Sequence, residues 1–186
     1  MFNPFLYGYV KWYEWRDRQA AYQLLPSFAP LDKKLRKANP YRIPKAYPYG
    51  ETPFMTLKAI ADRCQLTSND YGIDLGCGRG RSTHFLAQYT GCQMHGIEWC
   101  PELIASSDEQ VTFTCQDICT ADLGLASFIY LYGTCLNDMQ IDLLTKNMQN
   151  LPAKIVTISY PLEGLRCIDS FPVSFPWGKT EAFVHA

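Results

Sequence analysis

The sequence predicts a doubly wound α/β fold, a mostly parallel seven-stranded sheet with an N-terminal helical arm. Three observations predict it. From Thr52 onward, short apolar runs alternate with helical stretches, as in parallel sheets covered by helices. A glycine-rich segment, Gly76-Cys77-Gly78-Arg79-Gly80, stands where the first apolar run meets the next helical stretch. Finally, 47% of the 186 residues are apolar and 19% are charged. That balance is ordinary for one globular domain and excludes a disordered chain, a collagen or a coiled coil.

The elements follow in chain order. Residues 4–25 read as an aromatic-rich helix, with Phe5, Tyr9, Trp12, Tyr13, Tyr22 and Leu25 near helical spacing. Residues 26–50 hold five prolines and the basic run Lys33-Lys34-Leu35-Arg36-Lys37, which predicts an ordered arm with one short helix. Residues 1–50 are therefore assigned to a helical, basic arm that is not an independent domain, and residues 51–186 to the α/β domain. A helix is expected over 53–64, with Thr52 as N-cap and Pro53 at its first position. Strands are expected at 71–75, 93–97, 111–115, 128–132 and 154–160. Helices are expected at 79–89, 101–107 and 138–149. A closing hairpin is expected from 171–175 and 180–184, turning through Pro176-Trp177-Gly178-Lys179.

The formal net charge is −1, but the charge is uneven. Residues 1–50 hold nine Lys/Arg and three Asp/Glu, leaving −7 on the remainder. Eight scattered cysteines include no C-x-x-C pair. Cys115 and Cys119 lack the second pair or nearby histidine of a zinc site, so no metal is expected. Neither a signal peptide nor an 18-residue apolar run is visible. The expectation is a cytoplasmic protein in a reducing compartment, with no membrane span and no disulfides.

The chemistry concentrates around the glycines. Glycine lets the backbone approach a ligand, and a helix start offers free N–H groups. The segment lacks the G-K-[ST] of a P-loop. It also departs from G-x-G-x-x-G, because the last position is Arg81. Asp74 stands two residues before Gly76. A carboxylate there repels a pyrophosphate and attracts an ammonium. Glu98, ending the second strand, is placed to accept from ribose hydroxyls, and Asp117, past the third, from an adenine amine.

On these residues the sequence resembles the class I S-adenosylmethionine-dependent methyltransferases, a Rossmann-like superfamily, over about residues 47–160. The resemblance makes Asp74, Gly76, Gly78, Gly80, Glu98, Asp117 and Ile118 cofactor-binding positions, with S-adenosylmethionine as cofactor. Tyr49-Gly50-Glu51-Thr52-Pro53-Phe54 is similar to the Y-G-E-T-x-F segment of the non-SET histone lysine methyltransferases and to a similarly placed segment of small lysine methyltransferases. That similarity adds Tyr49, Glu51 and Thr52 as cofactor contacts and implies lysine methylation. Where the histone enzymes carry Asn-Asn-Phe, this chain has Phe128–Cys135. Ser159-Tyr160-Pro161 is loosely similar to their Ser-x-x-Pro region.

Methyl transfer then needs an aligned nucleophile, and Tyr132 and Tyr160 are the residues expected to wall its channel. His84 and His95 read as structural. The expected acceptor is a protein, with a small molecule as the alternative. A third reading is a non-catalytic S-adenosylmethionine-binding module, and a nicotinamide dehydrogenase ranks last. The basic arm is expected to meet an acidic surface or a nucleic acid, to pack over the acidic body, or to close over the cofactor.

Overall fold

The computed structural model describes residues 4–38, 49–104 and 106–186. The sheet runs in the order β3-β2-β1-β4-β5-β7-β6. Its strands are β1 (Tyr71–Leu75), β2 (Gln93–Glu98), β3 (Val111–Cys115), β4 (Phe128–Leu131), β5 (Lys154–Ile158), β6 (Cys167–Phe175) and β7 (Gly178–His185). The first five pair in parallel, β7 is antiparallel to β5, and β6 is antiparallel to β7. The chain steps outward from β1 to β2 and β3, then returns to β4 on the other side. Such a reversal leaves a crevice beyond the carboxyl ends of β1 and β4.

Each face of the sheet carries its own core, because strand side chains alternate. Phe128, Tyr130, Val156 and Ile158 face α3 (Phe54–Cys64) and α4 (Arg81–Thr90), while Ile129, Leu131 and Ile155 face α5 (Asp138–Met148). The arm forms α1 (Pro4–Leu24) and α2 (Phe28–Leu35), which add a layer outside α3 and α4. Phe28, Phe54 and Phe85 interlock at centroid distances of 5.1, 5.6 and 5.1 Å. All three are buried, each stabilising the layer by about 1.5–3 kcal/mol.

Three local expectations change. The stretch 101–107 is not a helix: Pro101–Leu103 makes a turn, and the remaining described residues are irregular. Only Leu103 among them is buried, so no apolar stripe drives a helix, and the Asp108 carboxylate instead accepts from the N–H groups of Gln110 and Val111. Thr52 does not cap α3. Its hydroxyl bonds Tyr130, and Asp17 of α1 accepts from the N–H groups of Phe54 and Met55 at 2.8 and 2.9 Å. The C-terminal hairpin is longer than expected and turns tightly through Pro176-Trp177 to Gly178.

No described helix is long and apolar enough to cross a membrane. All eight cysteines are free thiols.

Asp17 links arm and body through a helix cap. Its replacement by alanine is expected to lower unfolding free energy by about 1–2 kcal/mol, measured by urea denaturation.

Candidate active site

A cavity of about 360 Å³ occupies the crevice, within the ordinary ligand-pocket range of roughly 300–1,000 Å³. Its lining contains Tyr49, Glu51, Thr52, Asp74, Gly76, Gly78, Glu98, Asp117, Ile118 and Tyr132. These ten of the twelve expected site residues come from five separate stretches of chain. Gly80 and Tyr160 stand outside the lining. Gly80 is the left-handed N-cap of α4, at φ +74°. Tyr160 packs with the α5-side core, and its hydroxyl has no hydrogen-bond partner among the described residues and lies 2.7 Å from where a Cβ on Gly133 would sit.

The glycine loop is held open from below. The N–H groups of Gly76 and Cys77 both donate to the Ile97 carbonyl, at 2.9 and 3.1 Å. Gly76 has φ +74°, and a Cβ there would project into open space at the cavity wall. That space is where a ligand can approach the backbone. At Gly78 the constraint is different: a Cβ would lie 2.8 Å from the Tyr49 ring, so Tyr49 closes directly over the loop.

The acids are set in contrasting surroundings. Glu98 accepts from the Gly78 N–H through Oε2 and the Cys100 N–H through Oε1, each at 2.9 Å. Each oxygen keeps a further lone pair for a hydroxyl. Asp74 is 2% exposed. Oδ2 accepts from Ser82 Oγ at 2.6 Å and Thr83 Oγ1 at 2.7 Å. Burial, opposed by these bonds and reinforced by the Glu98 charge, raises its pKa to about 6. A cation beside it would stabilise the ionised form. Asp117 is exposed and caps the short helical turn Ile118–Thr120 by accepting from Cys119 N–H. A buried carboxylate with no cationic partner among the described residues, an open glycine wall and Glu98's spare lone pairs fit an adenosyl amino acid.

Glu51 is committed differently from expectation. Arg79 donates to it from Nε at 2.5 Å and Nη2 at 2.9 Å, and Arg81 Nη1 adds a short contact. Tyr49 OH donates to the same carboxylate at 2.8 Å. Burial would raise Glu51, but the Arg79 and Arg81 interactions prevail and lower its pKa. Burial and the neighbouring Glu51 charge push the Tyr49 phenol far up, so it stays protonated.

The same arginines hold the arm. Asp32 of α2 is fully buried and accepts from Arg81 Nε at 2.5 Å, Arg36 Nε at 3.0 Å and Tyr22 OH at 2.5 Å. Arg79 Nη1 donates to the carbonyls of Arg36 and Ala38. The arm is therefore joined to the loop through its own acid and two carbonyls, while Lys33, Lys34 and Lys37 stay exposed. Sequence reasoning missed Asp32, Arg79 and Arg81. The available signal was two arginines alternating with glycine at a helix start, across from the acid of Tyr49–Thr52.

A model of the family described as "Histone methylation protein DOT1" matches residues 28–127, more than half of the chain. No curated protein sequence matches. Among solved structures, the chain is similar to an RNA methyltransferase from Salinibacter ruber in complex with S-adenosyl-L-homocysteine, at 19% identity and TM-score 0.59, covering 73% of this chain and 92% of that one. It is also similar to magnesium protoporphyrin IX methyltransferase from Synechocystis PCC 6803 with bound S-adenosylmethionine. Identity there is 11% and TM-score 0.56, over 76% of this chain and 87% of that one. A tRNA (uracil-54, C5)-methyltransferase of Pyrococcus abyssi gives 13% identity and TM-score 0.55, over 75% and 40% of the respective chains. At these identities the likeness shows a shared fold.

Asp32→Ala leaves Arg81 and Arg36 without their buried acid. It is expected to lower unfolding free energy by about 3–5 kcal/mol, measured by guanidinium denaturation, with surface Lys33→Ala near neutral as the control.

Proposed function

From the premise that this chain belongs to the DOT1 histone methylation family, we propose that it methylates a lysine side chain of a protein. Family membership makes it a class I S-adenosylmethionine-dependent methyltransferase. The fold agrees, since its structural neighbours include methyltransferases holding S-adenosylmethionine or S-adenosylhomocysteine.

The observation that favours a lysine is the chemistry of one end of the cavity. Around the carboxyl end of β4 the lining is Tyr130, Leu131, Tyr132, Gly133, Thr134, Cys135 and Leu136. None of these carries a charge at neutral pH. Such a passage accommodates the methylene stem of a lysine and desolvates its terminal ammonium. Desolvation disfavours the charged form, so the amine sheds its proton and exposes a lone pair. The acids of the lining, Glu51, Asp74, Glu98 and Asp117, come from the 49–52 segment, β1, β2 and the turn after β3, so β4 and the residues after it add none of their own.

The residue roles follow. Asp74 takes the cofactor ammonium, Glu98 the ribose hydroxyls, and Asp117 with Ile118 the adenine. Gly76 gives the backbone clearance. Tyr49, Glu51 and Thr52 cover the cofactor from the strap, Thr52 being fixed by Tyr130. When bound, the cofactor supplies a sulfonium methyl already activated for displacement. The protein's contribution is alignment, which supplies up to about 7–11 kcal/mol of such a barrier. Tyr132 walls the amine's path. Its ring lies 3.3 Å from where a Cβ on Gly50 would sit, so strap and acceptor wall are in contact. Tyr160 backs Gly133 at the same end.

The acceptor is tested with tritiated-methyl S-adenosylmethionine offered to core histones, nucleosomes, lysate protein, RNA and a small-molecule extract. Label is expected in protein, recovered as methyl-lysine after hydrolysis. Label confined to RNA or to small molecules overturns the lysine assignment. The cofactor site carries a pH signature. An ammonium binds ionised Asp74, and a proton competes for it below a pKa of about 6. Affinity for S-adenosylhomocysteine should therefore be full above that value and fall as pH drops through it, approaching ~tenfold per unit. Calorimetry between pH 5 and 7 reads this, and Asp74→Asn should bind weakly with no such slope.

A further inference from the structure

The arm turns its aromatic side outward. A surface helix usually packs its apolar stripe on the core and shows water its polar side. Along α1, Val10, Tyr13, Asp17 and Ala21 are buried or half-buried against the body. On the opposite side Phe5, Tyr9, Trp12 and Trp15 follow one another at steps of three or four residues, so they form one stripe. Tyr9, Trp12 and Trp15 are 49–53% exposed, and Phe5 is 89% exposed. Residues 5–9 are all exposed. A run of that length points in every direction around a helix, so the start of α1 extends past the body. Large exposed aromatic patches mark a surface that meets a partner.

The arm's surplus charge has one sign. Each of its three acids is already engaged: Glu14 pairs with Lys11 and Arg18, Asp17 caps α3, and Asp32 holds Arg36 and Arg81. Arg16, Lys33, Lys34 and Lys37 are exposed and form no ion pair among the described residues. Aromatic rings beside unneutralised cations fit an anionic surface, which a bilayer or a nucleic acid could supply. The ring contacts favour the bilayer. Base stacking needs an open ring face. Here the Arg16 guanidinium lies over the Trp12 ring, 4.8 Å from its centroid, and Lys11 lies over Tyr7 at 5.7 Å. Tyr9 packs against Trp12 and Tyr13, with centroids 6.0 and 6.3 Å apart. The stripe is also the convex outside of a helix, with no groove to track a strand. A bilayer boundary needs no open ring face. It takes the aromatic body, and leaves the polar edges of Tyr and Trp and the tips of Lys and Arg among the headgroups.

We propose that α1 is a membrane-surface anchor, which lies on an anionic bilayer with Phe5, Tyr9, Trp12 and Trp15 at the boundary between headgroups and chains. It rests on the bilayer and does not cross it, since no described helix is long and apolar enough to span. The inference is independent of which acceptor the cavity takes. Asp17 and Asp32 tie the arm to α3 and to Arg81 at the start of α4, so docking through α1 also sets how the cavity faces the membrane.

The test sediments the full chain with vesicles of phosphatidylcholine alone or of phosphatidylcholine mixed with phosphatidylserine. The wild-type chain should bind the mixed vesicles, bind the neutral ones less, and release as ionic strength rises. Its tryptophan emission should shift to the blue on binding. The double variant Trp12→Ser/Trp15→Ser should lose ~10- to 100-fold in vesicle affinity and most of the emission shift. Its urea midpoint should match wild type, because both side chains are about half exposed and lie outside the cavity lining. Absence of wild-type binding to either vesicle overturns the proposal with no variant needed. Equal vesicle binding by wild type and the double variant overturns the assignment to α1. Binding of single-stranded RNA without vesicle binding makes the face a nucleic-acid surface and overturns it. So does a wild-type dimer in sedimentation velocity that the double variant dissolves, if vesicles stay unbound.

Discussion

The structure depends on a small number of charges removed from water together. Asp32 is fully buried and Arg81 nearly so, and each would be strongly unfavourable alone. Their mutual bond, extended by Glu51, Arg79 and Arg36, makes the burial tolerable. Its effect is geometric as much as energetic. Charged side chains in that setting have few arrangements that satisfy all donors and acceptors. Three segments distant in sequence, namely α2, the strap at Tyr49–Thr52 and the start of α4, are thereby fixed against one another. The cavity's outer wall is a by-product of that requirement.

A second constraint is the different solvation of two neighbouring acids. Glu98 receives two backbone N–H groups and doubles as a brace between the glycine loop and the residues after β2. Among the described residues Asp74 receives only hydroxyls, on one oxygen, in deeper burial. Hydroxyl donors soften the cost of a buried anion but do not cancel it. The first acid is therefore structurally satisfied as it stands, and the second is left short of a positive charge. A pocket that combines them has one acid braced by backbone N–H groups and another whose charge has no cationic partner among the described residues. The neutral aromatic end near Tyr132 completes the division of the cavity into regions of different chemistry.

Elsewhere, interactions outside the cavity hold its floor. Thr157 donates to the Tyr160 carbonyl, and His185 Nε2 accepts from the Leu162 N–H. Both side chains are fully buried. His185, close to the chain's end, thus fixes the bend after β5, where Ser159 adopts φ +75°. A non-glycine residue in that region is held there by its surroundings. The Tyr160 ring is the consequence: it is pressed beneath Gly133, which has no side chain to obstruct it.

Much of this was legible in the residues. An apolar run such as Phe128–Leu131 marked a buried parallel strand, and the glycines with Asp74, Glu98 and Asp117 marked the crevice, because each rests on local chemistry: a backbone needing clearance, or a strand end presenting an acid. Pro101–Leu103 was misread because a proline is compatible with a helix start or a turn, and only the burial of Leu103 alone settles which. Thr52 was misread as a cap because the better acceptor, Asp17, sits 37 residues upstream of Phe54, whose N–H it takes. What the sequence determined by itself was the order of the strands and which acids at their ends line the cavity, both fixed by short-range patterns. What only the tertiary structure decided was the partnership of Asp32, Glu51, Arg79 and Arg81. Charges find partners across space, and no spacing along the chain records which arginine a buried carboxylate will meet.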